Sequence, residues 1–161
     1  MSDVAIIAES SPLAVRASIP AMSAEAIEKV RQVEARVLAM PQVAIFTGHV
    51  LHAGLYSRTI MIPAGTVLTG ALIKIPTLLI VEGNAMVYIG EGGIEVCGYN
   101  VVPASGGRKQ VFYAMTDTWV TMVFACSAPD VGAAERQFTD EFELLGSHRD
   151  PALNSTVITG E

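Results

Sequence analysis

Apolar residues recur at helical spacing in the segment that follows Ser23. The positions of this stripe are Ile27, Val30, Val33, Val37 and Met40. Their spacing of three or four residues predicts an amphipathic helix with Ser23 as its N-cap, and Pro41 ends it. The segment before the helix contains Pro12 and Pro20 and is predicted to be an extended arm. The apolar stripe packs either on the chain's own β-domain or on a neighbouring subunit.

From residue 43 onward the apolar pattern changes to that of strands. Strands are predicted at 55–62, 66–75, 77–81, 85–89, 94–98, 110–115 and 118–125. Turns are predicted at 63–65, 82–84, 90–93 and 116–117, and the last two strands are expected to pair with each other. After Cys126, residues 131–145 are predicted to be helical, and residues 156–158 form either a terminal strand or an irregular end. Short strands with glycine-rich turns favour a mainly β sandwich or jelly roll.

Composition indicates one compact domain in three segments. The chain has 161 residues, of which 51% are hydrophobic and 16% charged, and its net charge is −6. We divide it into an N-terminal arm and helix (1–40), a β-barrel (41–126) and an acidic helical segment (127–161). The middle segment holds 11 of the 14 glycines, and the single tryptophan, Trp119, is expected in the core. The acidic balance argues against nucleic-acid binding. Proline and glycine break every long apolar run, so no membrane span is expected. The N-terminus has no basic region, and Glu9 interrupts its short apolar run, so no signal peptide is expected.

Two sequence motifs carry a family resemblance. Residues 52–70 read HAGLYSRTIMIPAGTVLTG, and residues 112–119 read FYAMTDTW, with Gly83 between them and an acidic segment after them. This order of motifs, over residues 46–145, resembles the small cupin-like proteins encoded by tailed bacteriophages and prophages. The resemblance implies a cupin-like jelly-roll barrel with an N-terminal helix and an acidic C-terminal helix. It also implies a protein of the host cytoplasm or of the virion.

The resemblance also locates the positions at which a cupin would bind a metal. Imidazole and carboxylate groups are the ligands that such sites need. The implied ligand positions hold Ile73, Pro76 and Thr77, and the basic pair Arg108 and Lys109 stands where a later histidine would fall. We therefore expect no metal and no other cofactor, and we assign no catalytic residue.

The histidines and cysteines suggest structural roles. His49 and His52 are three residues apart, so on one strand they point to opposite faces and are not expected to chelate one ion. They are predicted to be hydrogen-bonded structural residues. His148, in the polar tail, is predicted to be solvated, and Cys97 and Cys126 are predicted to be small buried hydrophobes.

Five residues are candidates for binding a ligand: His52, Tyr56, Arg58, Arg108 and Tyr113. Arg58 shares a strand face with Tyr56, Ile60 and Ile62, and an unpaired arginine on such a face is costly to bury. Its partner is either an acid of this chain or of a neighbour, or a small anionic ligand at the mouth of the barrel.

Three functions are consistent with these observations. The first is a non-enzymatic structural or interaction protein of phage type, a component of the virion or its assembly with a degenerate metal site. Such a protein would form a homo-oligomer, a dimer or trimer held in part by residues 1–40, and other virion proteins are candidate partners. The alternatives are a protein that binds a small anion during infection and a metal-dependent or sugar-modifying cupin enzyme. Whether the protein is an enzyme is left open.

Overall fold

A computed structural model describes residues 18–90 and 92–161. The arm before Ser18, including Pro12, and Glu91 of the predicted turn at 90–93 lie outside the described residues. The helices are α1 (Ala24–Leu38) and α2 (Val131–Phe138). The strands are β1 (Thr47–His52), β2 (Leu55–Ile62), β3 (Val67–Thr69), β4 (Thr77–Tyr88), β5 (Gly93–Ala104), β6 (Val111–Ala114), β7 (Thr118–Ala125) and β8 (Asn154–Ile158). Short 3-10 turns, Phe142–Leu144, Gly146–His148 and Pro151–Leu153, connect α2 to β8.

The strands form one curled sheet in the order β3-β6-β4-β7-β2-β1-β8, with β5 on the other edge of β4. All neighbours are antiparallel except β1 and β8. The concave face carries the core, which includes Tyr56, Ile62, Val81, Val87, Val102, Phe112 and Phe124. The fold is therefore mainly β, a cupin-like jelly roll in the form of a half-barrel. The terminal strand, one of two predicted alternatives, is present as β8.

Strand β4 runs through the turn predicted at 82–84, so that prediction is wrong. Its first half pairs with β7 and its second half with β6, while β5 follows it along its whole length. Gly83 stands at the junction with φ of +136°, opposite Gly98. A Cβ at Gly83 would lie 2.8 Å from the backbone oxygen of Asp117. The glycine therefore allows a close approach inside a long strand.

Two further strand predictions are corrected by the pairing. The strands β6 and β7 do not pair with each other, because each pairs with a different half of β4. The predicted strand 66–75 is reduced to the three residues of β3. Beyond Gly70 the chain departs from the ladder and makes an isolated bridge between Ile73 and Arg108.

The C-terminal helix is shorter than the predicted 131–145 and is not itself acidic. It ends at Phe138, because Thr139 takes an extended conformation with φ of −149° and ψ of 146°. The carbonyl of Phe138 accepts a hydrogen bond from the backbone of Lys74. The acidic residues after Thr139 therefore lie on turns, where Glu141 reaches back to the barrel.

The N-terminal helix packs on its own barrel, the first of the two alternatives. The Ser23 hydroxyl accepts a hydrogen bond from the Ala26 backbone nitrogen at 3.1 Å and caps α1 as predicted. Met22, Ala26 and Val30 form a second apolar cluster, against which Ile27, Tyr88 and Val111 pack. Ahead of the helix, Ile19 bridges to Ala104 on the free edge of β5.

Two residues expected in the interior are exposed. Trp119 is 51% exposed because it lies on the convex face of β7, and Cys97 is exposed on β5. Cys126 is buried, as predicted. Among the described residues, neither helix is long and apolar enough to cross a membrane.

Candidate functional site

The concave face of the sheet encloses a cavity of about 960 Å³. This volume falls in the upper part of the range for small-molecule sites. Its wall is mostly apolar and includes Ile60, Leu68, Ile73, Leu79, Phe112, Val120, Met122 and Phe138. Arg58, Arg108 and Gln110 also line it, and all three carry nitrogen donors. The structure thus brings two of the five candidate residues to one cavity.

Arg108 is a cation without a carboxylate partner. It is 1% exposed, and its guanidinium donates to the backbone oxygen of Ser105, the Thr77 hydroxyl and the Gln110 side-chain oxygen, at 2.7, 2.7 and 3.2 Å. No acid in residues 18–90 or 92–161 forms an ion pair with it. Burial lowers the pKa of Arg108 to about 10, because desolvation penalises the charged form. The charge is therefore held by neutral acceptors alone.

Gln110 adds an unsatisfied donor beside Arg108. Its oxygen accepts from Arg108, so its amide nitrogen Nε2 points elsewhere, and this buried atom has no hydrogen-bond partner. The residue is 6% exposed and lines the cavity. Sequence analysis missed it, although it lies two residues from Arg108 on the way into β6, a spacing that places two residues on one face of an extended chain.

Arg58 forms an ion pair with an acid of this chain, Glu135, which is one of the partners that the sequence left open. Its Nη1 lies 3.6 Å from Oε2 of Glu135, its Nη2 donates to the Ser147 hydroxyl at 3.1 Å, and its guanidinium carbon lies 5.9 Å from the centre of the Phe138 ring. Nη1 nevertheless makes no hydrogen bond and is buried. The ion pair with Glu135 thus neutralises the charge of Arg58 and leaves one of its donors unused.

A hydrogen-bonded chain of three side chains lies beside Arg58 on the concave face. The Asn154 amide nitrogen donates to the backbone oxygen of Ser147, so its oxygen accepts from Nε2 of His49 at 2.8 Å. The neutral Nδ1 of His49 then accepts from the Tyr56 hydroxyl at 2.7 Å. Burial lowers the pKa of His49, against the hydrogen bond to Asn154, and raises the pKa of Tyr56 to about 12. Tyr56 is fully buried, and its hydroxyl is used by His49.

Lys109 anchors the rim of the cavity to α1. Its ammonium group, fully buried, lies 2.8 Å from the Glu34 carboxylate and 3.1 Å from that of Glu141, and it donates to the backbone oxygen of Gly70. Glu141 also pairs with Arg31 at 2.7 Å. Burial alone would raise the pKa of Glu141, but hydrogen bonds from the Leu72 backbone, Arg31 and Lys109 outweigh it and lower the pKa.

The remaining candidates do not reach the cavity. His52 is exposed and contacts the Thr159 hydroxyl at 2.6 Å, and Tyr113 is 44% exposed on the other face of β6 from Phe112. His148 is not simply solvated, because its Nε2 lies 3.0 Å from Glu135. His49 and His52 lie on opposite faces of β1, as the strand period predicts.

The implied metal positions do not suit a cation. Ile73 and Pro76 offer no side-chain donor atoms, and the Thr77 hydroxyl accepts from the Arg108 guanidinium, whose charge would repel a metal ion. In the part of the chain that the structure describes, no three His, Cys, Asp or Glu side chains stand together as ligands. The buried polar groups beside these positions, Arg108 and Gln110, are donors, which suit an anion, while the carboxylates that line the cavity are those of Glu34, Glu141, Glu143 and Asp150.

Comparison with known proteins gives fold likeness alone. No family model matches this sequence, and no curated protein matches it. Among solved structures, the chain is similar to a cupin superfamily protein from Desulfitobacterium hafniense (9% identity, 55% of this chain and 83% of that chain, TM-score 0.43). It is also similar to an ectoine synthase from P. lautus (17% identity, 53% and 67%, TM-score 0.43). A third is a salicylate 1,2-dioxygenase from Pseudoaminobacter salicylatoxidans, crystallised as adducts with gentisate (15% identity, 68% and 35%, TM-score 0.42). At such identities and TM-scores, these names say nothing about what this chain binds.

Proposed function

We propose that this protein binds a small organic anion in the cavity of its half-barrel. The observation that carries the proposal is a pair of buried nitrogen donors without hydrogen-bond partners in the cavity lining, together with a buried guanidinium that has no carboxylate partner. Within the described part of the chain, Gln110 Nε2 and Arg58 Nη1 have no hydrogen-bond partner, and Arg108 has no carboxylate. Buried donors without acceptors cost about 1–3 kcal/mol each, and an unpaired buried cation costs more. A carboxylate or phosphate group beside Arg108 and Gln110 would supply an acceptor to the Gln110 amide and a counter-charge to the guanidinium.

A substitution at Gln110 tests the proposal with opposite effects on stability and on binding. Gln110→Glu keeps the size of the side chain and places a carboxylate beside Arg108, in the role that the ligand's anionic group would take. We expect it to raise the melting temperature and to weaken the binding of butyrate, benzoate or inorganic phosphate roughly tenfold or more. Isothermal titration calorimetry and thermal unfolding provide the two measurements.

The chain offers a matched control for this change. Gln137 lies on α2 and is exposed, so Gln137→Glu adds the same charge without touching the cavity. We expect it to leave anion binding unchanged. If none of the three anions binds or stabilises the wild-type protein, or if both variants behave alike, the proposal is wrong.

A structural role in an oligomer is a second candidate, favoured by an apolar patch on the convex face of the sheet. Trp119 on β7 and Tyr99 on β5 flank Glu82 of β4. Further along the same face lie Val101 on β5 and Leu78 on β4. The four apolar residues, Trp119, Tyr99, Val101 and Leu78, are between 36% and 51% exposed. Exposed apolar patches of this kind mark interaction sites on soluble proteins. We propose that a second copy of the chain covers the patch, as expected for a dimer or trimer.

Light scattering coupled to size exclusion tests this second candidate. We expect a dimer or trimer that Trp119→Glu dissociates, and a Val157→Glu variant, changed at an equally exposed position on β8, that keeps its mass. A monodisperse 17.0 kDa species at micromolar concentration would exclude the oligomer. The phage resemblance would place such an oligomer in the virion or its assembly in the host cytoplasm, and mass spectrometry of purified particles tests that part separately.

A further inference from the structure

The mouth of the cavity is lined by large apolar side chains that face solvent. Leu38 at the end of α1, Met40 and Val43 in the segment that follows it, and Leu144 after α2 all border the cavity, and we call them the apolar collar. They are between 51% and 71% exposed. Exposed apolar side chains that form one contiguous patch mark binding grooves or interaction sites on soluble proteins.

Apolar surface continues from the collar into the cavity wall. Met122, Phe112 and Ile73 line the interior, and the Arg108 guanidinium and the unpaired amide nitrogen of Gln110 lie on the same lining, where both residues are nearly fully buried. The charge of Arg108 is thus buried, while the exposed lining combines the apolar collar with the charged side chains of Glu143, Arg149 and Asp150. This polarity fits a molecule whose anionic end enters first and whose apolar part fills the cavity toward the mouth.

Four acids border the cavity, and two of them are paired with cations. Glu34 and Glu141 are neutralised by Lys109, and Glu141 also by Arg31. The Asp150 carboxylate accepts a hydrogen bond from the Ala152 backbone. The Glu34 and Glu141 carboxylates therefore add little repulsion against an anion that passes the collar, whereas Glu143 and Asp150 border the cavity at exposed positions and form no ion pair within residues 18–90 and 92–161.

We propose that the ligand is an amphipathic carboxylate, with an acyl chain long enough to extend from Arg108 to the apolar collar. This inference rests on the proposed anion-binding function and adds the class of ligand. A small hydrophilic anion would leave most of the roughly 960 Å³ and the collar uncovered. A carboxylate with a long acyl chain would cover the wall and the collar with its chain, and its carboxylate would be the acceptor that the Gln110 amide nitrogen lacks.

A series of fatty acids titrated into the full chain tests the inference. Butyrate, octanoate, decanoate and dodecanoate are compared by calorimetry below their micelle concentrations. We expect the affinity to rise about two- to fourfold for each added methylene until the chain reaches the collar. 1-Octanol should bind at least tenfold more weakly than octanoate, because it lacks the charge that Arg108 pairs with.

Variants separate the collar from the anion site. Leu144→Ser should weaken dodecanoate binding severalfold and leave butyrate unchanged, whereas Leu55→Ser, at an exposed leucine away from the cavity, should change neither. Gln110→Glu should weaken both ligands.

The outcomes distinguish the two proposals. If butyrate binds as tightly as dodecanoate, the inference is wrong and the anion site stands. If Leu144→Ser alters the molecular mass in light scattering and not dodecanoate affinity, the collar binds another copy and the inference is again wrong. If no carboxylate of any length binds, the inference is wrong, and the anion-binding proposal fails with it when inorganic phosphate does not bind either.

Discussion

Two glycines with positive φ differ in what surrounds them. Gly65 has φ of +78° and open space where a Cβ would stand, whereas at Gly83 a Cβ would lie within 3 Å of backbone atoms of Asp117 and Thr118. We expect Gly65→Val to cost about 1–3 kcal/mol through backbone strain. Gly83→Val should cost clearly more, because backbone cannot move aside as a flexible side chain can. Urea unfolding of both variants measures the difference, and equal free energies of unfolding would contradict this account of β4.

The free energy of unfolding is expected to depend on pH through the buried His49. Burial holds the pKa of His49 below its ordinary value of 6.5, so the folded state favours the neutral ring. Its stabilising effect is therefore complete above about pH 6.5 and is lost as the pH falls from there toward the lowered pKa. The charged groups around it are Arg58, Glu135 and His148.

The assignment is tested by the slope of stability against pH. Between pH 7 and pH 5, the free energy of unfolding of the wild-type protein should fall more steeply than that of His49→Gln. His52→Gln, which replaces the exposed histidine of the same strand, should follow the wild type. Parallel curves for wild type and His49→Gln would show that the ring does not titrate as proposed.

At the scale of elements, a buried lysine joins α1 to the barrel. Lys109 and Lys74 each have a carboxylate oxygen within 2.8 Å, but Lys109 is fully buried and the side chain of Lys74 is 41% exposed. Lys109→Met leaves Glu34 without a cation and Glu141 with Arg31 alone, and should cost about 3–5 kcal/mol. Lys74→Met should cost less than about 1 kcal/mol, because water screens its pair with Asp140.

Hydrogen exchange shows where the lost stability lies. In Lys109→Met the amides of α1 should exchange faster relative to those of β4 and β7, because the helix loses its ionic anchor. Uniformly faster exchange throughout the chain would mean that Lys109 supports the barrel as a whole rather than its junction with α1.

At the scale of the whole molecule, residues 1–40 are predicted to help hold the oligomer together. Tyr88 and Val111 pack under α1, and Ile19 is hydrogen-bonded to the edge of β5. Deleting residues 1–40 would uncover these apolar side chains and leave Lys109 without Glu34. We expect the truncated chain to melt at a lower temperature and to dissociate or aggregate in light scattering. A truncated chain with unchanged melting and assembly would show that the helix is dispensable.

Local sequence patterns determined the elements whose signals lie within a few residues. Ser23 and Pro41 bracket α1, the run from Leu55 to Ile62 forms β2 with the predicted bounds, and a mainly β fold follows from the strand period. The strand face that Arg58 shares with Tyr56 also follows from that period. These features depend on neighbours in the chain, which the sequence displays directly.

Only the tertiary structure decided what depends on distant partners. The sequence around Gly83 predicts a turn, yet Gly83 lies inside β4, where the backbone of Thr118, 35 positions later, packs closely against it. The candidates His52 and Tyr113 lie outside the cavity, while Gln110 lines it. The direction in which the sheet curls decides which of its faces lines the cavity. Arg58 pairs with Glu135 because α2 packs back on the barrel, and Arg108 pairs with no acid among the described residues. Pairing across such separations is set by the free energy of the whole packed chain, and no local pattern encodes it.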